Sequence, residues 1–173
     1  CLGFAEGFRR GLHEAARQRV VQMGAGGAGA AVAHALLAEG VGQLSIFDVD
    51  HGRAQSLADN LNQHFGPGRA QAGSDLDSAM AAADGLVNTT PMGMVKLPGM
   101  PVPARLLRAA LWVAEIVYFP LETELLRTAR ALGCRTLDGG NMAVFQAVKA
   151  FELFSGKPAD AQRMLDHFQS MNT

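Results

Sequence analysis

The run Gly24-Ala25-Gly26-Gly27-Ala28-Gly29 has the spacing G-x-G-x-x-G, and its surroundings leave few folds open to the chain. In a sequence with 20 glycines such a run carries little weight alone. Here a short apolar segment, Arg19 to Met23, leads into it, and an alanine-rich stretch, Gly26 to Glu39, leads out. Asp48 then follows the next apolar segment, Leu44 to Phe47. A strand, a glycine turn, a helix and a second strand ending in an acid form the pattern of a dinucleotide site. Gly24 permits the tight turn, Gly26 lets a pyrophosphate approach bare backbone, and Gly29 lets the helix pack close to the sheet. The helix N-terminus offers unpaired N–H groups and a positive dipole end to the phosphates. The competing reading, a strand-to-helix turn that binds nothing, leaves the three features unconnected.

The rest of the chain repeats the alternation. Phe4, Phe8, Leu12 and Ala15 recur at helical spacing and predict a helix over residues 3–17. Further helices are expected at His51 to His64, Asp75 to Ala83 and Glu122 to Leu132, with two closing helices over residues 141–155 and 158–171. Gly85 to Asn88, Leu111 to Val117 and Arg135 to Leu137 read as strands. Leu97 to Pro103, with three prolines among seven residues, reads as a surface loop. Short, nearly all-apolar strands alternating with helices predict an α/β fold, a Rossmann-like doubly wound, mostly parallel sheet with helices on both faces. At 173 residues the chain has the size of one domain.

Charge narrows the partners. Lys plus Arg number 15 and Asp plus Glu 16, without a run of either sign, so nothing points to nucleic acid or to an anionic membrane. No stretch approaches a membrane span, and no signal-peptide pattern opens the chain. A cytoplasmic location is expected, with Cys1 and Cys134 as reduced thiols and Cys134 a small buried residue. His13, His34, His51, His64 and His167 lack metal-ligand spacing, so no metal site is expected.

Asp48 bears on the choice of dinucleotide. A carboxylate at this strand end accepts hydrogen bonds from ribose hydroxyls and repels a 2′-phosphate, which favours NAD over NADP. Arg53, one helical turn on, could stack over adenine, pair with Asp48, rescue a 2′-phosphate, or simply face solvent. Asp50 reads as an N-cap of the helix from His51 rather than as a ribose contact.

Three further segments give the chain a family resemblance. The glycine run, then Asn88-Thr89-Thr90-Pro91-Met92-Gly93-Met94, then Val117-Tyr118-Phe119-Pro120-Leu121-Glu122-Thr123 with Asp138-Gly139-Gly140-Asn141-Met142 and Gln146-Ala147, resemble the shikimate/quinate dehydrogenases in their order. The resemblance covers about residues 19–155. It implies the nicotinamide-cofactor-binding domain of an oxidoreductase, a cytoplasmic enzyme of the shikimate pathway and aromatic amino acid biosynthesis. Its cofactor set would comprise Gly24, Ala25, Gly26, Gly27, Gly29, Asp48, Arg53, Thr89, Pro91, Met92, Val117, Gly140 and Met142. Thr89, Pro91 and Met92 would line the adenosine-to-nicotinamide side. Val117, Gly140 and Met142 would lie near the nicotinamide ring. Tyr118 and Gln146 would reach the substrate (shikimate, 3-dehydroshikimate or quinate). Without the resemblance, Met92, Met94 and Met142 would read as core filler. The chain departs from the pattern in Glu115, where the family usually carries Asp, and in Asn141, often Gly there; an Asn141 facing the nicotinamide would crowd it. The Asp48-to-Arg53 segment is similar to the NAD-using branch rather than the NADP-linked biosynthetic one.

The resemblance also implies a Lys–Asp proton relay in a separate N-terminal domain, with Cys1-Leu2-Gly3-Phe4 continuing a Thr-Asp-x-x-Gly-Phe pattern. Its Asp would immediately precede Cys1. No catalytic acid or base is therefore expected within the chain, and Lys96 and Lys149 read as surface residues. The rivals are an NADP-linked biosynthetic enzyme, a non-catalytic NAD-binding module, and a methyltransferase, against which the Asn88-to-Met94 run and Gln146 argue. Subunit number stays open between monomer and homodimer.

Overall fold

The computed structural model describes residues 2–170. Its frame is a six-stranded sheet in which every pairing is parallel. The strands are β1 (Arg19–Met23), β2 (Gln43–Phe47), β3 (Ala70–Ala72), β4 (Gly85–Asn88), β5 (Trp112–Glu115) and β6 (Arg135–Leu137), in the spatial order β3-β2-β1-β4-β5-β6. This is the doubly wound Rossmann order, which reverses direction between β1 and β4. All four residues of β4 and of β5 are buried, as strands covered on both faces must be.

The helices are α1 (Leu2–Gly11), α2 (Gly27–Ala38), α3 (His51–Phe65), α4 (Leu76–Ala82), α5 (Glu124–Ala131), α6 (Gly139–Ser155) and α7 (Ala161–Ser170). One apolar core joins α1, α2 and α3 to the sheet through Phe8, Leu36, Ile46 and Ala58. The core of the other face holds Met80, Leu86, Leu125 and Leu126. Phe8 packs edge-on against Trp112 at 5.2 Å, and the Trp112 indole N–H donates to the Ala16 carbonyl at 2.8 Å, anchoring α1 to the sheet.

Most predicted elements stand within one to three residues of their expected bounds. Two differ. The opening helix stops at Gly11 rather than at residue 17, although Leu12 and Ala15 keep the buried positions that their spacing predicted. β3 was not expected. Ala70-Gln71-Ala72 has little strand preference and is held by pairing with β2 and by Asn62, whose side chain meets both the N–H and the C=O of Ala70. Cys134 is buried, as predicted; Cys1 and the expected helix end at residue 171 lie outside the described residues. Among the described residues no helix is long and apolar enough to cross a membrane.

Candidate functional site

In a sheet of this order ligands bind where the strand order reverses, beyond the carboxyl ends of the strands. Two adjoining cavities occupy that place. One, of about 660 Å³, lies over the β1–β2 side and is bordered by Gly24, Asp48, Val49, Arg53 and Met92. The other, of about 610 Å³, lies over the β4–β5 side against Gly27, Thr90, Val117, Tyr118 and Phe119. Gly26, Thr89, Thr90 and Pro91 border both, so the two halves meet over the glycine turn.

The turn is built for that position. Gly24 has φ +101°, in the left-handed region, and its N–H donates to the Phe47 carbonyl at 2.7 Å. The Thr89 hydroxyl sits beneath it, 2.8 Å from the Met23 carbonyl and 3.0 Å from that of Gly24. A Cβ on Gly29 would overlap the Gly24 carbonyl and come within 2.8 Å of the Thr89 hydroxyl. Added at Gly26 or Gly27, a Cβ meets nothing within 4 Å. The two kinds of glycine thus do different work: Gly24 and Gly29 fit the protein to itself, while Gly26 and Gly27 leave bare backbone facing the cavity. Helix α2 starts here with Gly26 as N-cap and no side-chain cap, so its first N–H groups stay available to a ligand. Gly26→Ala should therefore leave the thermal midpoint within about 2 °C of the parent while abolishing measurable dinucleotide binding. A drop in midpoint together with retained binding would contradict this division.

The Asp48 carboxylate lies at the end of β2. It accepts from the N–H of Ala25 at 2.7 Å, the N–H of Asp50 at 2.9 Å and the Arg53 guanidinium at 2.9 Å. Burial alone would raise its pKa, but the amides of Asp50 and Ala25 and the Arg53 charge outweigh that and hold it below the ordinary value. It is thus a fixed anion. Of the alternatives for Arg53, this structure has the pair with Asp48. Asp50 caps α3, accepting from the Arg53 N–H, as expected.

A buried polar group was missed by sequence reasoning. Gln22, fully buried in β1, donates from its side-chain amide to the carbonyls of Gly24 at 2.9 Å and Gly29 at 3.0 Å. It braces the turn from below, and a single glutamine in an apolar run was the only signal.

On the β4–β5 side the Glu115 side chain is 2% exposed. Its carboxyl group takes hydrogen bonds from the Asn88 side-chain amide at 3.0 Å, the Val117 N–H at 3.0 Å and the Thr123 hydroxyl at 3.3 Å. Burial, only partly offset by these donors, lifts its pKa from the ordinary 4.5 to about 7. The sign follows by linkage. A carboxyl group raised on folding contributes fully below about pH 4.5, and its contribution is lost as pH rises through about 7. At roughly 1.4 kcal/mol per unit, a rise from 4.5 to about 7 amounts to about 3 kcal/mol. Measured by urea unfolding against Glu115→Gln, the parent should gain about that much as pH falls through this window; a flat difference would contradict it.

Three expected residues beyond the turn lie outside both cavities, and within the turn Ala25 and Gly29 border neither. Gly140, Met142 and Gln146 are on α6. Gly140 is buried against Leu121 and Phe168, and Met142 packs on the sheet core. Gln146 is exposed and lies beside Gly3 of α1. Asn141 faces Gly7 of α1 rather than a cavity. On α6 the close backbone approach falls on Gly139, where a Cβ would overlap the carbonyls of Ile116 and Val117. Met92 and Met94 are part-exposed rim residues rather than core. Lys149 pairs with Glu152 at 2.7 Å on the surface, and Lys96 is exposed. Among the described residues no cluster of three metal-ligating side chains occurs.

Comparison with models of known protein families finds no match. Individual proteins do match. The chain is 62% identical over 165 residues to a shikimate dehydrogenase (NADP(+)) of Streptomyces avermitilis, across 94% of the chain and 57% of that protein. It is 51% identical to a quinate/shikimate dehydrogenase (NAD(+)) of Corynebacterium efficiens, across 98% of the chain and 60% of that protein. Among solved structures, quinate dehydrogenase from Corynebacterium glutamicum in complex with NAD superimposes with a TM-score of 0.92 at 48% identity, across 98% of this chain and 61% of that one. The chain thus spans about three-fifths of the length of the proteins it matches.

Proposed function

We propose, for a chain that belongs by sequence to the shikimate/quinate dehydrogenase family, that it is the NAD-binding domain of an enzyme oxidising shikimate or quinate at the C3 hydroxyl. The observation that carries this reading is the pair of bare glycines, Gly26 and Gly27, under an uncapped helix N-terminus, with the Asp48 carboxylate bordering the same cavity.

The residues present fit a dinucleotide. The first N–H groups of α2 would bind the pyrophosphate, with Gly26 and Gly27 giving it room. Asp48 would accept from the adenosine ribose hydroxyls. Thr90, Pro91 and Val117 would enclose the nicotinamide side and exclude water. When bound, NAD supplies the hydride acceptor. Tyr118, exposed at the rim of the β4–β5 cavity, would contact the substrate there, and Gln146, exposed on α6 outside both cavities, would reach it from the α6 side. The proton relay is assigned to a Lys–Asp pair from an N-terminal domain that the present 173 residues do not include. In this division of labour the domain described here holds the cofactor and the other holds the acid–base chemistry. The same reading places the enzyme in the cytoplasm, acting on a small molecule.

NAD rather than NADP follows from a fixed, ionised Asp48, whose charge opposes a 2′-phosphate. The NADP reading draws on Arg53, whose guanidinium lies close enough to be redirected, and on the NADP name of the Streptomyces avermitilis protein. Turnover by the protein of the complete gene decides between them. Quinate and shikimate, each offered with NAD and with NADP, should be oxidised with NAD and little with NADP. Turnover with NADP alone would install the second reading. Binding of NAD without turnover of either acid would leave the fold and remove the substrate assignment.

A further inference from the structure

We propose that Glu115 is the positioning residue of the nicotinamide side: its buried carboxyl group is the common acceptor that holds the loop after β4 and the loop after β5 at one fixed separation. The inference rests on the functional reading above for its role in hydride transfer, but the clamp itself is a matter of this chain's own contacts.

The geometry converges from three elements. From the end of β4 comes Asn88, whose side-chain amide reaches both carboxyl oxygens at 3.0 Å and also the Met92 carbonyl at 2.9 Å. The Asn88 side-chain carbonyl cannot trade places with that amide, because it already accepts from the N–H of Thr90 at 3.0 Å and its hydroxyl at 2.7 Å. Asn88 is thereby fixed as a donor toward Glu115 while it shapes the Thr90-to-Met92 turn. From the loop after β5 comes the Val117 N–H. From the cap of α5 comes the Thr123 hydroxyl, whose oxygen in turn accepts from Leu126. These neighbours are uncharged, so hydrogen bonding and not ion pairing sets the arrangement.

Both loops face the 610 Å³ cavity, one through Thr90 and Pro91, the other through Val117 and Tyr118. Val117 is one peptide from Ile116, whose carbonyl Gly139 backs directly. The loop after β5 is thus pressed from behind by α6 and tethered in front by Glu115. Removing the acceptor would leave buried donors on two loops unsatisfied at once, and each loop would relax toward water independently. A nicotinamide held between them would keep its phosphate and ribose contacts, which lie over the other cavity, but lose its alignment.

The test uses the protein of the complete gene with Glu115→Met, which keeps the length and removes the oxygens, and Glu115→Gln, which keeps an acceptor oxygen without the charge. Amide hydrogen exchange is followed over residues 88–94 and 116–120, beside steady-state kinetics. In Glu115→Met both segments should exchange roughly tenfold faster or more, with the central strands unchanged. kcat should fall about tenfold with KM for NAD within about threefold, as expected when alignment is lost and binding kept. Glu115→Gln should recover most of both, because its oxygen can take the Val117 N–H while its amide donates to the Thr123 hydroxyl oxygen. Uniformly faster exchange in Glu115→Met, unchanged exchange in the two segments, or a Gln variant as impaired as the Met variant would each overturn the proposal. A parent protein that oxidises neither acid would remove the functional reading, and the exchange comparison, which needs no cofactor, would still decide the clamp.

Discussion

Gly29→Ala is expected to destabilise the protein by about 2–3 kcal/mol or more, in the range of overpacking inside a close-packed core, and to abolish dinucleotide binding. The added methyl would overlap the Gly24 carbonyl, which is backbone, and press on the Thr89 hydroxyl at 2.8 Å. Neither neighbour can yield freely. The Gly24 carbonyl is held by Gln22 and lies 3.0 Å from the Thr89 hydroxyl, and Gly24 itself sits at φ +101° with its N–H on Phe47. The strain must therefore go into moving α2 off the sheet, which shifts its N–H groups relative to the cavities they border. For a domain of this size the loss corresponds to a thermal midpoint about 5–10 °C lower. The contrast with Gly26→Ala is the informative part. One alanine should cost stability and binding together, the other binding alone. A Gly29→Ala protein as stable as its parent would show that α2 can shift without cost.

Asp48→Asn is expected to weaken NAD binding by about 10–100-fold, the scale of a lost hydrogen bond to a charged acceptor, and to erase discrimination against NADP. The carboxylate receives two amide N–H groups and a guanidinium, all donors. An amide in its place keeps one acceptor and turns a second donor toward them, so the Ala25 end of the glycine turn loosens as well. Arg53, released from its partner, becomes free to meet a 2′-phosphate. Calorimetric titration of both dinucleotides into parent and variant reads the effect directly. Unchanged selectivity would mean that Asp48 serves the turn and not the ribose.

The sheet was legible in the sequence because parallel strands buried on both faces leave short apolar runs, and because a glycine turn with an acid on the following strand marks β1, α2 and β2 together. The glycine turn and the acid beside it were legible for the same reason: Gly24 and Gly29 meet within one turn, and Asp48 ends the next strand and accepts from the Ala25 N–H. What escaped depends on contacts distant in sequence. β3 exists through its pairing with β2 and through Asn62 reaching across, and its own residues do not announce a strand. Gln22 braces two glycines from inside an otherwise apolar strand. Glu115 showed only as a longer acid at an expected place. Its partner Asn88 is 27 residues away, and no periodicity links them. Gly139 and Gly140 are adjacent in sequence, yet Gly139 takes the close backbone approach to Ile116 and Val117 while side chains of Leu121 and Phe168 cover Gly140. That distinction depends on where α6 and α7 dock.

Titration calorimetry of the purified protein with NAD and with NADP shows whether these residues form an NAD site. NAD should bind saturably and at least about tenfold more tightly than NADP, the discrimination expected when a fixed carboxylate meets ribose hydroxyls in one case and a phosphate in the other. Tighter binding of NADP, or no binding of either dinucleotide by a folded protein, would contradict it.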